Sequence, residues 1–595
     1  MSGTRKTVLI ITGILGVLVL FVVLGIAVLW AALGKSEPSI RDNSVLTLRV
    51  AGSLPDYTPD DPFKKFFGGP DQSLTGLVMQ FKKAKVDKRI KAILLDVNMS
   101  GVGWGKAEEI RDAIADFRTS GKPVYAYLEF GLNKEYYIAT ACDKVYVPPP
   151  GSLFINGLAA DVMFFRGSLD KLGIYPDIYR IGKYKSVGDM FTEKQMTDAH
   201  REYINSMLDD LFNRYVNTIA KDRHKTPDEV RALIDNAPYD ADQAKAAGLI
   251  DDALYRDQVE NELKKLLGQK ESEPLVAVRG VDYRDVAPES LGLNKGERIA
   301  VIYASGDIGS GSSQNSPSGD QSIGSDTVAK ALNDAAADKS IKAIVLRVDS
   351  PGGSGLASDI IWRAVDMANQ KKPVVVSMSD VAASGGYYIS ASASKIIAQP
   401  STITGSIGVV AGKPVLRGFY DWLGISNEYV LRGKTAGMFR ETEKFSDEER
   451  AKFEEWVKTT YYGDFVPKVA KGRGKDAEFI DSVGQGRVWT GAQAKDRSLV
   501  DEFGGLDKAI DVAKQLAKIP ADKGVERVIL PYPTTFLQQL ISGNTDNANT
   551  EVEQQRAVAA ALPEDARRAL RFMALMDRMK NGETMLLMPF DVRVK

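Results

Sequence analysis

The sequence is poor in the residues from which most metal and nucleophilic sites are built. Its 595 residues include one cysteine, Cys142, and two histidines, His200 and His224. A lone cysteine excludes an intrachain disulfide and every multi-cysteine zinc site. Two histidines exclude a His-rich metal cluster, and a Ser-His-Asp triad would have to use one of them. Both stand in polar, charged contexts, Thr-Asp-Ala-His-Arg and Asp-Arg-His-Lys, which predicts ordinary surface positions. An excess of either charge is also missing. The 77 Lys+Arg against 78 Asp+Glu give a formal net charge of -1, so no global basic field argues for nucleic acid as a partner. Neither a metal nor a cofactor is expected. The length predicts about two to four domains.

Charge is missing altogether between Lys6 and Lys35. Within that gap, Val8 to Leu33 is almost wholly apolar, and a helix of that length reaches about 39 Å, enough to cross a hydrocarbon core of roughly 30 Å with tilt. The run exceeds the ~7–15 apolar residues of a cleaved signal peptide. Residues 1–34 are therefore expected to form a cytoplasmic N-terminus and a single transmembrane helix. Arg5 and Lys6 ahead of the span favour a cytoplasmic N-terminus, with the body on the far side of the membrane.

The rest of the chain is organised by an internal repeat. Ile90-Lys-Ala-Ile-Leu-Leu returns as Ile341-Lys-Ala-Ile-Val-Leu, 251 positions on, and Tyr136-Tyr-Ile-Ala returns as Tyr387-Tyr-Ile-Ser at the same offset. Gly182-Lys183 matches Gly433-Lys434, and Val45–Gly52 matches Ile299–Gly306. Such a period is far too long for a solenoid and marks a duplicated domain. In each half, apolar strands (45–50, 92–95 and 124–128; then 299–304, 343–346 and 374–377) alternate with helices, the pattern of stacked βαβ units around a parallel sheet. The expected fold is α/β: a first domain over 40–255, a linker over 256–297, a second domain over 298–540, and a polar loop with a C-terminal extension over 541–595.

The second half carries two motifs with chemistry. Val348-Asp-Ser-Pro-Gly-Gly353 follows a buried strand, and its glycines leave backbone N–H groups unobstructed, as an oxyanion hole requires. Asp380-Val-Ala-Ala-Ser384-Gly-Gly-Tyr-Tyr follows another strand and opens a helix, so Ser384 can expose its Oγ, with the Gly385 N–H at the positive end of that helix. Taken singly, Ser-Gly-Gly is usually an N-cap and Pro-Gly-Gly a tight turn. The repeat argues otherwise. Counting from the shared Tyr-Tyr, the first half has Asn133-Lys134-Glu135 in place of Ser384-Gly385-Gly386, and Ser100-Gly-Val102 in place of Pro351-Gly-Gly353. A serine needs a base. Ile181-Gly-Lys-Tyr-Lys185-Ser aligns with Arg432-Gly-Lys434-Thr-Ala436-Gly, so Lys183 has a counterpart and Lys185 does not. The half with the serine lacks that lysine, and the half with the lysine lacks the serine. To serve at neutral pH, Lys185 must be buried, which lowers its pKa from about 10.4.

This combination resembles the long-form bacterial signal peptide peptidase A family, Ser/Lys proteases with tandem Clp-protease-like, crotonase-type domains. The resemblance spans nearly the whole chain and is carried by Asp349-Ser-Pro-Gly-Gly353, Ala383-Ser384-Gly-Gly-Tyr-Tyr388, Thr404-Gly-Ser406-Ile-Gly-Val and Gly182-Lys-Tyr-Lys185-Ser. It implies that Ser384 is the nucleophile, that Lys185 is the base and that Ser406 orients the lysine. It also implies a tetramer-like homo-oligomer on the bacterial inner membrane with its body in the periplasm, and signal-peptide remnants as substrates. Lys183 is the competing choice of base. Two other classes share features of the sequence. A crotonase-type acyl-CoA enzyme would also use backbone N–H groups but needs neither anchor nor Ser/Lys pair. A catalytically dead scaffold would have lost the reactive residues from both halves.

Overall fold

Two parallel sheets form because the central strands are apolar on both faces. Ile90–Ser100 and Ile341–Ser350 bury almost every residue of their first turns of pleat, the signature of strands covered by helices on both sides. In the computed structural model, residues 38–58, 72–315, 321–531, 584–588 and 593–594 are described, with isolated positions 13, 16 and 20. The transmembrane segment expected over 8–33 lies, but for those three positions, outside the described residues, as does the polar stretch 542–553. Among the described residues no helix is long and apolar enough to cross a membrane.

The first sheet runs in the order 252–253, 144–147, 124–127, 90–100, 44–52, 277–279, all parallel. The second repeats that order with 502–503, 395–398, 374–383, 341–350, 297–305, 525–530, and adds Ile403–Gly405 and Val488–Thr490 beyond the end of Val374–Ala383. The duplicated α/β architecture is therefore present strand for strand.

The residues read as a linker, 256–297, are not one. Helix Arg256–Leu266 buries Val259 and Leu263 against Val45, Leu94 and Tyr127, and Ala277–Arg279 is the edge strand of the first sheet. Lys83 Nζ then donates to the carbonyls of Tyr283, Arg284 and Val286 at 2.9–3.0 Å. The stretch looked like a linker because its helix is charged on all but one narrow stripe. Its counterpart in the second half is Val525–Leu530.

The halves are joined by a third sheet that draws strands from both. Tyr175–Ile181 of the first half pairs antiparallel with Val409–Val415 of the second, Ile181 opposite Val409. Beyond Val409–Val415 lie Met585–Leu587 and then Gly352–Ser354. This pairing carries residues 182–186 across to the second half.

Candidate active site

Ser384 sits where strand Val374–Ala383 breaks into helix Gly385–Ser390. Its backbone takes φ 54°, ψ -112°, a conformation that few non-glycine residues adopt. The turn is held by Ser384 N–H donating to Gly405 O at 2.8 Å and Tyr388 N–H donating to Ser384 O at 2.8 Å. The next two positions must be glycine. A Cβ on Gly385 would lie 2.7 Å from Ser358 Oγ and 3.1 Å from Gly353 N, and one on Gly386 would lie 2.5 Å from Ser350 O. The Gly353 and Gly385 backbones thus approach each other beside the serine.

Lys185 arrives from the first half. Gly182, at φ 112°, turns the chain after Ile181, and Tyr184 N–H donates to Gln485 O at 2.8 Å. Gly486 packs so closely that a Cβ there would lie 2.5–2.6 Å from the Lys185 backbone. Lys185 is fully buried, and its Nζ lies 2.7 Å from Ser384 Oγ, 3.0 Å from Ser406 O and 3.1 Å from Ser406 Oγ. Ser406 is itself in the left-handed region, φ 52°, and anchored by its N–H to Arg487 O at 2.7 Å. Burial alone pushes the Lys185 ammonium well below its ordinary pKa, with no carboxylate to oppose it.

The competing lysine points away. Lys183 is exposed, 3.7 Å from Glu202 and 3.3 Å from Tyr184 Oη, contacts that raise its pKa. His224 is on the surface as expected, whereas His200 is not. His200 is buried on helix Asp198–Asp222, stacked on Tyr203 with ring centroids 5.3 Å apart, and its pKa falls to about 4 through burial and the nearby Arg180 and Arg201. It lies on the helix's inner face with Tyr203, Ile204, Met207 and Leu211, a periodicity that outweighs its charged sequence neighbours.

In the first half the equivalent site is filled. Glu135 Oε1 accepts from Ser100 N–H at 2.7 Å and Ser100 Oγ–H at 2.8 Å, Lys134 Nζ donates to Val102 O at 2.7 Å, and Asn133 Nδ2 donates to Gly157 O at 2.8 Å. Glu135 and Lys134 thus bond to the loop Ser100–Val102, the first-half counterpart of Pro351–Gly353.

One part of the site escaped the sequence reading. Met585–Leu587 lies as a strand between Gly352–Ser354 and Val409–Val415, with Leu586 opposite Gly353 and Met585 opposite Val410. Met588 N–H donates to Pro351 O and Gly355 N–H to Thr584 O, both at 2.9 Å. A Cβ on Gly352 would collide with Leu586 O and lie 2.8 Å from Gly385 N, so the Leu586 carbonyl faces the region of the glycine donors. Met585 and Leu587 point into an apolar pocket with Val187, Met190, Phe191 and Val410, mostly first-half residues. The available signal was the strand-length apolar run Met585-Leu-Leu-Met588.

With this geometry in place, comparison with known proteins gives a consistent answer. The model of peptidase family S49 matches residues 116–270 and 366–520, one stretch in each repeat. The chain belongs to peptidase family S49. It is 37% identical over 505 residues to "Serine protease SPPA, chloroplastic" of Arabidopsis thaliana, covering 85% of this chain and 74% of that protein. It is 35% identical over 459 residues to Protease 4 of Salmonella typhi, covering 76% and 73% of the two chains. Protease 4 of Haemophilus influenzae is 31% identical over 542 residues, covering 88% and 85%. This S49 chain is a serine protease of the signal peptide peptidase A type, with a peptidase domain in each half.

Proposed function

We propose that this S49 protease is a membrane-anchored endopeptidase in which Ser384 is the nucleophile, Lys185 the general base and Ser406 the group that orients the base. The observation that carries this reading is the 2.7 Å approach of Lys185 Nζ to Ser384 Oγ, with both residues fully buried. A neutral amine has one lone pair and two N–H bonds. The lone pair accepts the Ser384 hydroxyl proton, and the two N–H groups donate to Ser406 O and Ser406 Oγ, so all three contacts of Nζ are satisfied in the deprotonated state. As the serine oxygen bonds to the scissile carbonyl carbon, its proton passes to Lys185. The Gly353 and Gly385 N–H groups receive the oxyanion. The C–N bond then breaks, Lys185 returns the proton to the leaving amine, and a water repeats the sequence to release the acid and free Ser384.

Apolar peptides bound as an extended strand are the substrate class, because the gap between Gly352–Ser354 and Val409–Val415 accommodates a strand with apolar side chains at alternate positions. Signal-peptide remnants at the bacterial inner membrane fit that description. The anchor over residues 8–33 would hold the body there on the periplasmic side, and the protein would work as a homo-oligomer, a tetramer by likeness to its family. The test is Ser384→Ala, assayed with a fluorogenic peptide amide. Turnover should disappear while the folded oligomer remains. Wild-type-like turnover by a well-folded Ser384→Ala protein would remove Ser384 from the role.

A further inference from the structure

The first half contributes a second lysine to the second half, away from the reacting atoms. Helix Trp104–Arg118 docks its first turn against the ends of the second half's central strands. The approach is close: a Cβ on Gly105 would lie 2.7 Å from Ser379 O, and one on Gly103 would collide with the Asp380 carboxylate. Asp380 caps this helix from the other domain, accepting from Gly103 N–H at 2.9 Å and Lys106 N–H at 2.7 Å. The Lys106 side chain is buried, and its Nζ lies 2.8 Å from Asp349, 3.7 Å from Asp380 and 3.8 Å from Asp56. Asp349 in turn accepts from Val381 N–H at 3.1 Å.

The remaining charges of the cluster are otherwise engaged. Arg347 is buried with Asp56 at 2.8 Å and Glu109 at 2.7 Å, and also donates to Ser377 Oγ and Ser379 Oγ. Lys134 Nζ donates to Val102 O at 2.7 Å. Lys106 is therefore the cation in contact with Asp349. The repeat gives the comparison: 251 positions on, the second half has Ala357 in place of Lys106.

We propose that Lys106 is a positioning residue for the active site of the other repeat, tying the strand that leads into Gly352–Gly353 to the strand that leads into Ser384. Asp349 stands three residues before Gly352, and Asp380 four before Ser384. Among the described residues the Lys106 ammonium is the side-chain cation near both carboxylates, 2.8 Å from Asp349 and 3.7 Å from Asp380, so it sets the spacing between the Gly353 donor and the serine. Without it, Asp349 and Asp380 face each other with no cation between them, Asp56 being held by Arg347, and the two strand ends separate. A shift of about 1 Å at catalytic groups costs on the order of 10²-fold in rate. Loss of alignment between nucleophile and oxyanion donors lowers the chemical step and leaves the apolar cluster of Val187, Met190, Phe191 and Val410, which includes none of the Lys106 group, in place. The proposal rests on the Ser384/Lys185 reading.

The experiment compares Lys106→Met, Lys106→Arg, Asp349→Asn and Ser384→Ala in the full-length protein. For each, kcat and KM are measured on a fluorogenic peptide amide, and competent sites are counted with a fluorophosphonate that acylates the serine. Lys106→Met should lose about 30- to 100-fold in kcat per titrated site, with KM within roughly threefold of wild type. Lys106→Arg should recover part of that loss because it restores the cation. Asp349→Asn, which is isosteric, should lose kcat in the same sense and decides the matter if Lys106→Met yields no folded protein. Unchanged kcat per titrated site in the folded variants, or a loss that follows only the number of folded molecules, would overturn the proposal and leave Lys106 a structural residue. An active Ser384→Ala protein would instead strike at the nucleophile assignment, so the two failures are distinct.

Discussion

Two lysines two residues apart in sequence have opposite environments, and this difference decides what each can do. Lys185 is dehydrated, which holds its pKa well below the usual lysine range and favours the neutral amine, whereas Lys183 is solvated and its pKa is raised. Lys185→Ala should be nearly inactive, and Lys185→Arg equally so because a guanidinium stays protonated. Lys183→Ala should retain most activity; the reverse result would shift the base by two residues. Activity of the wild type should rise with pH through the depressed Lys185 pKa. The same burial has a stability consequence whose sign follows from proton counting. Between the folded pKa and about 10.4 the unfolded chain binds one more proton than the native one, so stability rises with pH by about 1.4 kcal/mol per unit over that window. Lys185→Met should remove that slope and melt above wild type at neutral pH, with the gap closing toward pH 10. A gap that stays constant across a Tm titration would contradict the neutral amine. Ser406→Ala removes one of the two acceptors that fix the amine's rotation and leaves the Ser406 carbonyl. A fall of roughly 10-fold in kcat, part of the ~10²–10⁴ that general-base assistance supplies, is the expected result, and an unaltered rate would make Ser406 a turn residue alone.

At the scale of elements, the sequence disclosed what repeats and concealed what crosses between repeats. The 251-residue offset marked the central strands of both sheets, and the complementary losses at Asn133 and Ala436 singled out Ser384 and Lys185. The pairing of Tyr175–Ile181 with Val409–Val415 has no local signal, because register between distant strands is set by packing rather than by either strand's own pattern. The interdomain charges were hidden for a related reason: Arg347 and Lys106 look like surface residues until their partners from the other half are known. Strand Met585–Leu587 falls in the stretch 541–595, where the sequence predicts only a polar loop and a C-terminal extension. It fills the gap in which a substrate strand would bind, and a tethered occupant competes at an effective concentration of the order of millimolar. Leu586→Asp with Leu587→Asp should weaken this occupancy, since both side chains are buried. Hydrolysis of a small peptide amide should then speed up severalfold, chiefly through a lower KM. A KM unchanged in the double variant would mean that the strand does not limit access.

For the whole molecule, the proposed roles divide the site so that neither repeat would react alone: the first would supply Lys185, Lys106 and most of one apolar pocket, the second Ser384, Ser406 and the glycine donors. Activity therefore depends on how the halves dock, and anything that grips the rim of the third sheet grips the site as well. One such surface is exposed. Helix Arg417–Leu423 buries none of its residues, and Trp422 is 72% and Val430 84% exposed, with Ile425 and Tyr429 between them. Leu172 and Tyr175 of the first half are exposed beside this region, where Gly173 packs against Gly418 so closely that a Cβ on Gly173 would lie 2.5 Å from the Gly418 backbone. Exposed apolar patches of this kind mark contact with another surface, and a second copy of the chain is the occupant to test. Trp422→Glu with Val430→Glu should shift the detergent-solubilised protein to a smaller mass by light scattering coupled to size exclusion, with the melting temperature of the body kept. An unchanged mass would mean that this patch is not a contact between copies. If mass falls and kcat falls with it, the neighbouring subunit supports the loop at 417–431 that follows strand Val409–Val415, and assembly is coupled to catalysis through the strand that borders the cleft.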